Sequence, residues 1–550
     1  MDLKNVVLNY SINFAQDYDS QNWTYRFDNR NLFLSADTEV TNEIGRQLWN
    51  KIKDLNPDII FSVGIGGMPL LNIVKHIAYE EDKKNLIILF VRDQRKKHGT
   101  KKLVEGLFPH QVRGLRAAFI DDLFDSGKTF EKAKNGLISE DYDLNIVGAV
   151  SLIDFWRMHG SRRYNAKGFP VRTVFRRHDF GLTRDDRFLP KILGNLKWRK
   201  HTFHDGRDIM PWKGTPTIHN NYLLVGNDNN DHYCFDKDTG DVVWIHKPRS
   251  PQPKGDVSIT QVHNNRAYWT SYEGTVKCAD VDTGELFWTV KADLNLHSSV
   301  ELDPENNRLF IGTEWNKFGW DTGGYGDGDI VCLNMDNGFE RWRTPTRGMV
   351  PCTPTYSKKH NYVITGSNDF HIHIMNATTG ELIKKYPTRG EVKGKPVVSA
   401  DESTVIGVTI TGNVYAIDLA TLEVKWHKRM GIASSHQYPY IYDEYVVMSN
   451  SQGVVSCIEY KTGRVIWLCQ LRKEAIWKPL DLGATLLYIT RDGQVVTIDK
   501  YTGEKMSLDK ITDTVDIAGC DITQPPAYDG TSLYIVTNNK GIVVYDIVKQ

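Results

Sequence analysis

A chain of 550 residues is several times the length of one ordinary domain, and its 40% hydrophobic and 25% charged side chains are the composition of folded globular protein, not of a disordered or fibrous chain. Its 68 basic and 68 acidic residues cancel, which excludes a uniformly polycationic surface, and no stretch approaches the ~18 consecutive apolar residues of a membrane-spanning helix. The opening MDLKNVVLNYSINFAQDYDS has no basic start, apolar run and small-residue cleavage site, so a cytoplasmic location and no membrane partner are expected.

In chain order, the first informative stretch is DIIFSVGIGGMPLLNIV, residues 58 to 74. It reads as a buried strand, a turn at Gly64, Ile65, Gly66 and Gly67, and a helix. Next, FVRDQRKKHGTKKLVEG (90 to 106) carries a basic run that includes Arg92, Lys96 and His98. The sharpest motif follows, AAFIDDLFDSGKTFEKA (117 to 133). Ala117 to Ile120 suit a buried strand, Asp121 and Asp122 are expected at its end, and Asp125, Ser126, Gly127, Lys128 and Thr129 lead into a helix. Strand, turn and helix in that order leave backbone N–H groups free for an anion, Gly127 permits close approach, and Ser126 and Thr129 add hydroxyl donors. Adjacent carboxylates beside such a cradle suit a sugar that carries a phosphate.

These three motifs, with the segment from about residue 20 that precedes them and SLIDFW (151 to 156) that follows, resemble the type I phosphoribosyltransferases, the orotate enzymes in particular, over roughly residues 20 to 180. The resemblance implies an α/β fold with a parallel sheet and phosphoribosyl pyrophosphate (PRPP) as substrate. Asp121 and Asp122 would hold the ribose hydroxyls, Asp125 to Thr129 the 5′-phosphate, and Gly64 to Gly67 the pyrophosphate. Arg92, Lys96 and His98 would belong to a mobile catalytic loop that closes over pyrophosphate and helps expel it, and Mg²⁺ would bridge diphosphate and ribose with indirect help from Asp121 and Asp122. Three positions depart from the orotate pattern. Asp93 replaces a second loop lysine, Gly66 a basic residue, and Phe155 the arginine that meets the orotate ring. An orotate carboxylate would lose its partner there, so the expected acceptor is a neutral nitrogenous heterocycle stacked on Phe155.

Residues 151 to 200 carry 13 basic and 4 acidic side chains. The stretch 181 to 202 is taken as a basic connector, with a nucleic-acid contact through 157 to 200 as the alternative. Beyond it a turn followed by a strand recurs seven times: DKDTGDVVW (236 to 244), DVDTGELFW, NMDNGFERW, NATTGELIK, DLATLEVKW, EYKTGRVIW and DKYTGEKMS (499 to 507). Alternating runs between the turns suit half-buried strands, and Cys234, Cys278, Cys332 and Cys457 share one repeat position, which Ile374, Ala416 and Thr497 fill elsewhere, so they read as core residues and not as metal ligands. The pattern resembles the quinoprotein-like (PQQ-type) propeller over about 203 to 550. It implies an all-β ring of eight blades, closed by the segment Asp205 to Trp212 as the missing outer strand. No adjacent cysteine pair accompanies it, and a redox quinone is not expected.

The sequence therefore predicts a multidomain chain: a phosphoribosyltransferase-like domain (1 to 180), a connector (181 to 202) and a propeller (203 to 550). The function expected is that of a phosphoribosyltransferase-type enzyme regulated or targeted by a propeller that binds a protein partner, an oligomer being compatible with it. The alternatives are a non-catalytic PRPP or nucleotide sensor, and a nucleotide-modifying effector of bacterial conflict or antiviral defence.

Overall fold

A computed structural model describes residues 2–16, 23–27, 38–92, 102–154, 160–181, 189–200, 212, 214–227, 230–247, 258–314, 326–431, 438–475, 477–511, 522, 524–537 and 541–548. The chain divides into two compact units, residues 1–15 with 25–183, and residues 16–24 with 184–550.

The first unit is built on a six-stranded sheet. After the short strands β1 (Ile12–Gln16) and β2 (Trp23–Phe27), which pair with each other, the strands of this sheet are β3 (Ile59–Val63), β4 (Ile87–Val91), β5 (Val104–Glu105), β6 (Arg116–Phe124), β7 (Asn145–Asp154) and β8 (Val171–Arg176), in the order β5-β4-β3-β6-β7-β8. All neighbours are parallel except β5, which returns antiparallel along β4. Strand β3 is buried along its whole length because helices cover both faces of the sheet, which is why it reads as a continuous apolar run. On one face Phe61, Phe119 and Phe130 pack with Leu137 of the helix Lys128–Ile138. On the other the helices Thr38–Ile52 and Gly64–Asp82 approach so closely that a Cβ on Gly45 would lie 2.4 Å from Ile73 Cγ2. From β3 the chain adds β4 on one side, whereas β6, β7 and β8 build outwards on the other. The order thus reverses between β3 and β6, and in parallel sheets ligands sit at the carboxyl ends of the strands at such a point.

The second unit is a ring of eight four-stranded antiparallel sheets. Seven run consecutively, over residues 217–246, 261–291, 301–346, 355–387, 397–429, 440–470 and 480–510. The repeat turn precedes the outermost strand of each. In the first blade the Asp236 carboxylate accepts the N–H groups of Asp238 and Thr239 at 2.9 Å each, and Gly240 takes φ 74°. Each repeat cysteine lies opposite the blade's tryptophan, as Cys278 does Trp288, followed at once by a bulge. Burial pushes the Cys234, Cys332 and Cys457 thiols up to about 12, in keeping with a packing role.

The tryptophans stitch one blade to the next. Trp244, Trp288, Trp342, Trp426 and Trp467 donate their indole N–H to backbone carbonyls of the following turn, those of Val281, Met335, Ala377, Tyr460 and Lys500, at 2.8–3.1 Å. The turn glycine lies flat on the ring, and a Cβ on Gly284 would stand 2.7 Å from Trp244. Where Lys384 replaces tryptophan, Leu422 replaces the next glycine in the same left-handed conformation (φ 56°), and Tyr386 donates to its carbonyl at 2.9 Å. Gly284→Ala, which meets both the indole and a positive φ (73°), is expected to lower propeller stability by about 2–3 kcal/mol in denaturant unfolding.

Closure of the ring corrects the sequence expectation. The outer strand of the eighth blade is Leu193–Lys200, antiparallel to Gly541–Ile547. Trp198 faces Val544 in the register that pairs Trp288 with Cys278, its N–H reaches Lys237 O at 2.9 Å, and Gly240 covers its ring. Of the segment expected in this role only Trp212 lies within the described residues. It is fully buried, bridging Asn227 and packing with Tyr233, Phe235 and Tyr534, so it plugs the seam between first and last blades instead of edging it. The strand also takes up much of what was read as a connector: eight of its residues belong to a blade.

Candidate active site

The switch point brings the predicted motifs of the first unit to one edge. Strand β3 ends at Val63, and Gly64 (φ 74°) breaks directly into the helix Gly64–Asp82, so the glycines open a helix instead of forming a separate loop. Ile65 and Gly66 lie in its first turn. Gly67 is required by space: a Cβ there would fall 1.7 Å from Ser62 Oγ and 3.3 Å from Ile120 O. The first-turn N–H groups of this helix therefore stand beside β6 immediately before its acidic pair.

Asp121 and Asp122 lie within β6, which continues to Phe124, and not at its end as expected. Asp121 is buried and pairs with Ser151 across the ladder, while Asp122 is half-buried and donates its N–H to Asp121 Oδ1 at 3.0 Å. Burial first, and the neighbouring Asp122 charge second, hold the Asp121 carboxyl well above the usual carboxylate range. Asp125, Ser126 and Gly127 form a bend, with Gly127 at φ 80° as the N-terminal cap of the helix Lys128–Ile138. Lys128 and Thr129 in its first turn are exposed.

Two clusters complete the edge. The Arg92 guanidinium grips Glu105 Oε1 at 2.6 and 2.9 Å, and the Arg92 backbone N–H donates to Leu103 O at 2.8 Å, pinning the base of the basic segment. Lys96, His98 and Asp93, like Phe155, lie outside the described residues. The second cluster escaped sequence reasoning. The helix Gly160–Ala166 docks under the bend: Gly160 donates to Asp125 O at 2.8 Å, Arg163 to Ser126 O at 3.0 Å, and Ser161 to Asp154 Oδ2 at the end of β7 at 2.5 Å. Its only sequence signal is a Gly-Ser pair followed by arginines after SLIDFW.

The profile of the family described as outer membrane protein assembly factor BamB matches residues 192–349, 272–383 and 371–550, well over half the chain. The chain belongs to that family. Its BamB-type match begins at residue 192, just ahead of the strand that closes the ring. BamB of Kangiella koreensis is 23% identical over 205 residues, 36% of this chain and 48% of that protein, so the chain spans about half of that relative. The first unit is similar to the orotate phosphoribosyltransferase of Synechocystis sp., 29% identical over 154 residues, 28% of this chain and 72% of that protein. A solved europium-containing methanol dehydrogenase superposes with a TM-score of 0.51 at 10% identity, covering 64% of this chain and 93% of its own, a likeness of fold alone. The chain thus joins a phosphoribosyltransferase-like unit to a BamB-type propeller.

Proposed function

We propose that the first unit binds PRPP with Mg²⁺ in the cytoplasm and transfers its phosphoribosyl group to a nitrogenous acceptor, and that the BamB-type propeller is a protein-binding platform that targets or regulates this activity. The observation that supports it most is the convergence of two helix N-termini and an acidic pair, buried Asp121 and half-buried Asp122, at the switch point of the sheet. The helix at Gly64 suits pyrophosphate, the bend Asp125–Gly127 with Lys128 and Thr129 suits the 5′-phosphate, and the two carboxylates suit the ribose hydroxyls between them. Among the described residues no three metal-ligating side chains converge. The carboxylates of Asp121 and Asp122 are hard oxygen donors, a set that fits a magnesium ion taking most of its oxygen ligands from the substrate, where it would neutralise diphosphate charge. In the transfer the acceptor nitrogen bonds to C1 of the ribose, the C1–oxygen bond breaks with its electron pair leaving on pyrophosphate, and the acceptor proton passes to solvent. The protein's part is to position the sugar and stabilise the departing charge.

Calorimetry with PRPP and Mg²⁺ is expected to show binding, and pyrophosphate release is expected with adenine, guanine or uracil. No binding refutes the reading, and turnover with orotate alone refutes the neutral acceptor. One observation favours the sensor reading: Arg92, one of three groups assigned to expelling pyrophosphate, is engaged by Glu105. Binding without pyrophosphate release from any acceptor would decide for it.

A further inference from the structure

We infer that the helix Gly160–Ala166 aims the phosphate-binding bend and that Arg163 is its positioning residue, an inference that rests on the PRPP reading above. The carbonyls of Asp125 and Ser126 both turn towards this helix, one accepting from Gly160 N–H at 2.8 Å and the other from Arg163 Nη2 at 3.0 Å. In a trans peptide the C=O and the following N–H point in opposite directions. Tying down those two carbonyls therefore turns the N–H groups of Ser126 and Gly127 away from the helix, to the side where an anion is cradled.

The fit leaves little play. A Cβ on Gly160 would lie 2.3 Å from Asp125 O, and one on Gly127 2.6 Å from Tyr164 Cε2, so helix and bend meet through glycines on both sides. Tyr164 donates its hydroxyl to Glu131 in the first turn of the next helix, and Ser161 donates to Asp154, which lies opposite Phe124 at the end of the sheet. The helix is thus anchored to β7 and holds the bend from below. Arg163 is exposed, and among the described residues no carboxylate pairs with it, so its charge also adds to the positive field over the bend.

The test is calorimetry on the full-length protein with three ligands, each with Mg²⁺: PRPP, ribose 5-phosphate and pyrophosphate. Arg163→Ala is expected to weaken ribose 5-phosphate and PRPP about tenfold or more, the loss of a charged donor to a loop carbonyl, while leaving pyrophosphate affinity and the melting temperature unchanged. Arg163→Lys, which keeps one donor and the charge, is expected to restore most of it. Unchanged ribose 5-phosphate affinity in Arg163→Ala, or an equal loss of pyrophosphate affinity, would overturn the positioning role while leaving the PRPP reading standing. Wild-type protein that binds none of the three would overturn that reading itself, and the inference with it.

Discussion

Asp121→Asn combined with Asp122→Asn is expected to cut PRPP affinity at least ~100-fold and at the same time to raise the thermal stability of the chain near neutral pH. The first effect follows from losing two carboxylate acceptors for ligand hydroxyls, each contributing roughly 1.5–3 kcal/mol. The second follows from the pKa of Asp121. Its folded-state value is raised, so at pH below the usual carboxylate range both folded and unfolded chains hold the proton and no penalty exists. As pH rises above that range the unfolded chain ionises freely while the folded chain resists, and the cost to folding grows until the folded value is passed. Asparagine at position 121 removes that cost, and its amide oxygen still accepts the backbone N–H of position 122, which in the wild type lies 3.0 Å from Asp121 Oδ1. Calorimetric melts at pH 3, 5 and 7.5 should therefore show a gain absent at pH 3 and largest at pH 7.5. A double variant less stable than wild type at neutral pH would show that the pair is structural.

Removing the strand Leu193–Lys200 is expected to abolish the monomeric propeller, and Trp198→Ala to destabilise it by about 3–4 kcal/mol in denaturant unfolding. Without that strand, Gly541–Ile547 becomes an unpaired edge carrying buried Ile542, Val543 and Val544, a template for pairing with other copies. Trp198 alone supplies the hydrogen bond to Lys237 and an edge-on contact with Tyr534 at 6.4 Å. Size-exclusion chromatography and light scattering decide the deletion. A soluble, equally stable protein lacking residues 193–200 would show that the ring does not depend on this seam.

The strand was readable in the sequence after all. Gly194, three residues and Trp198 repeat the spacing of Gly240 and Trp244. What hides it is the missing Asp-x-x-Thr before the glycine. Inside a blade that turn is covalent and needs the left-handed glycine, whereas here the partner strand comes from the other end of the chain and Gly194 has no positive φ. The eight blades and the parallel sheet were legible because their signals are periodic and local. The acidic pair and the bend Asp125–Gly127 were legible for a similar reason, since strand, carboxylates and glycine follow one another without interruption. The helix under the bend was not, because its work is carbonyl capping between residues 37 positions apart, which places no demand on residue type at either end that a sequence displays. Leu422 marks the opposite case: a break in the glycine pattern that Lys384, one blade earlier, accounts for.

The seam between Leu193–Lys200 and Gly541–Ile547 also sets an order of assembly. On the ribosome the strand that seals the ring emerges ahead of every other blade strand, and its partner emerges last. Until that partner strand emerges, the growing stack has an open edge at each end and no way to cover either, the situation in which nascent β-structure is most exposed to mispairing. The first unit, wholly synthesised before the repeats begin, is under no such delay.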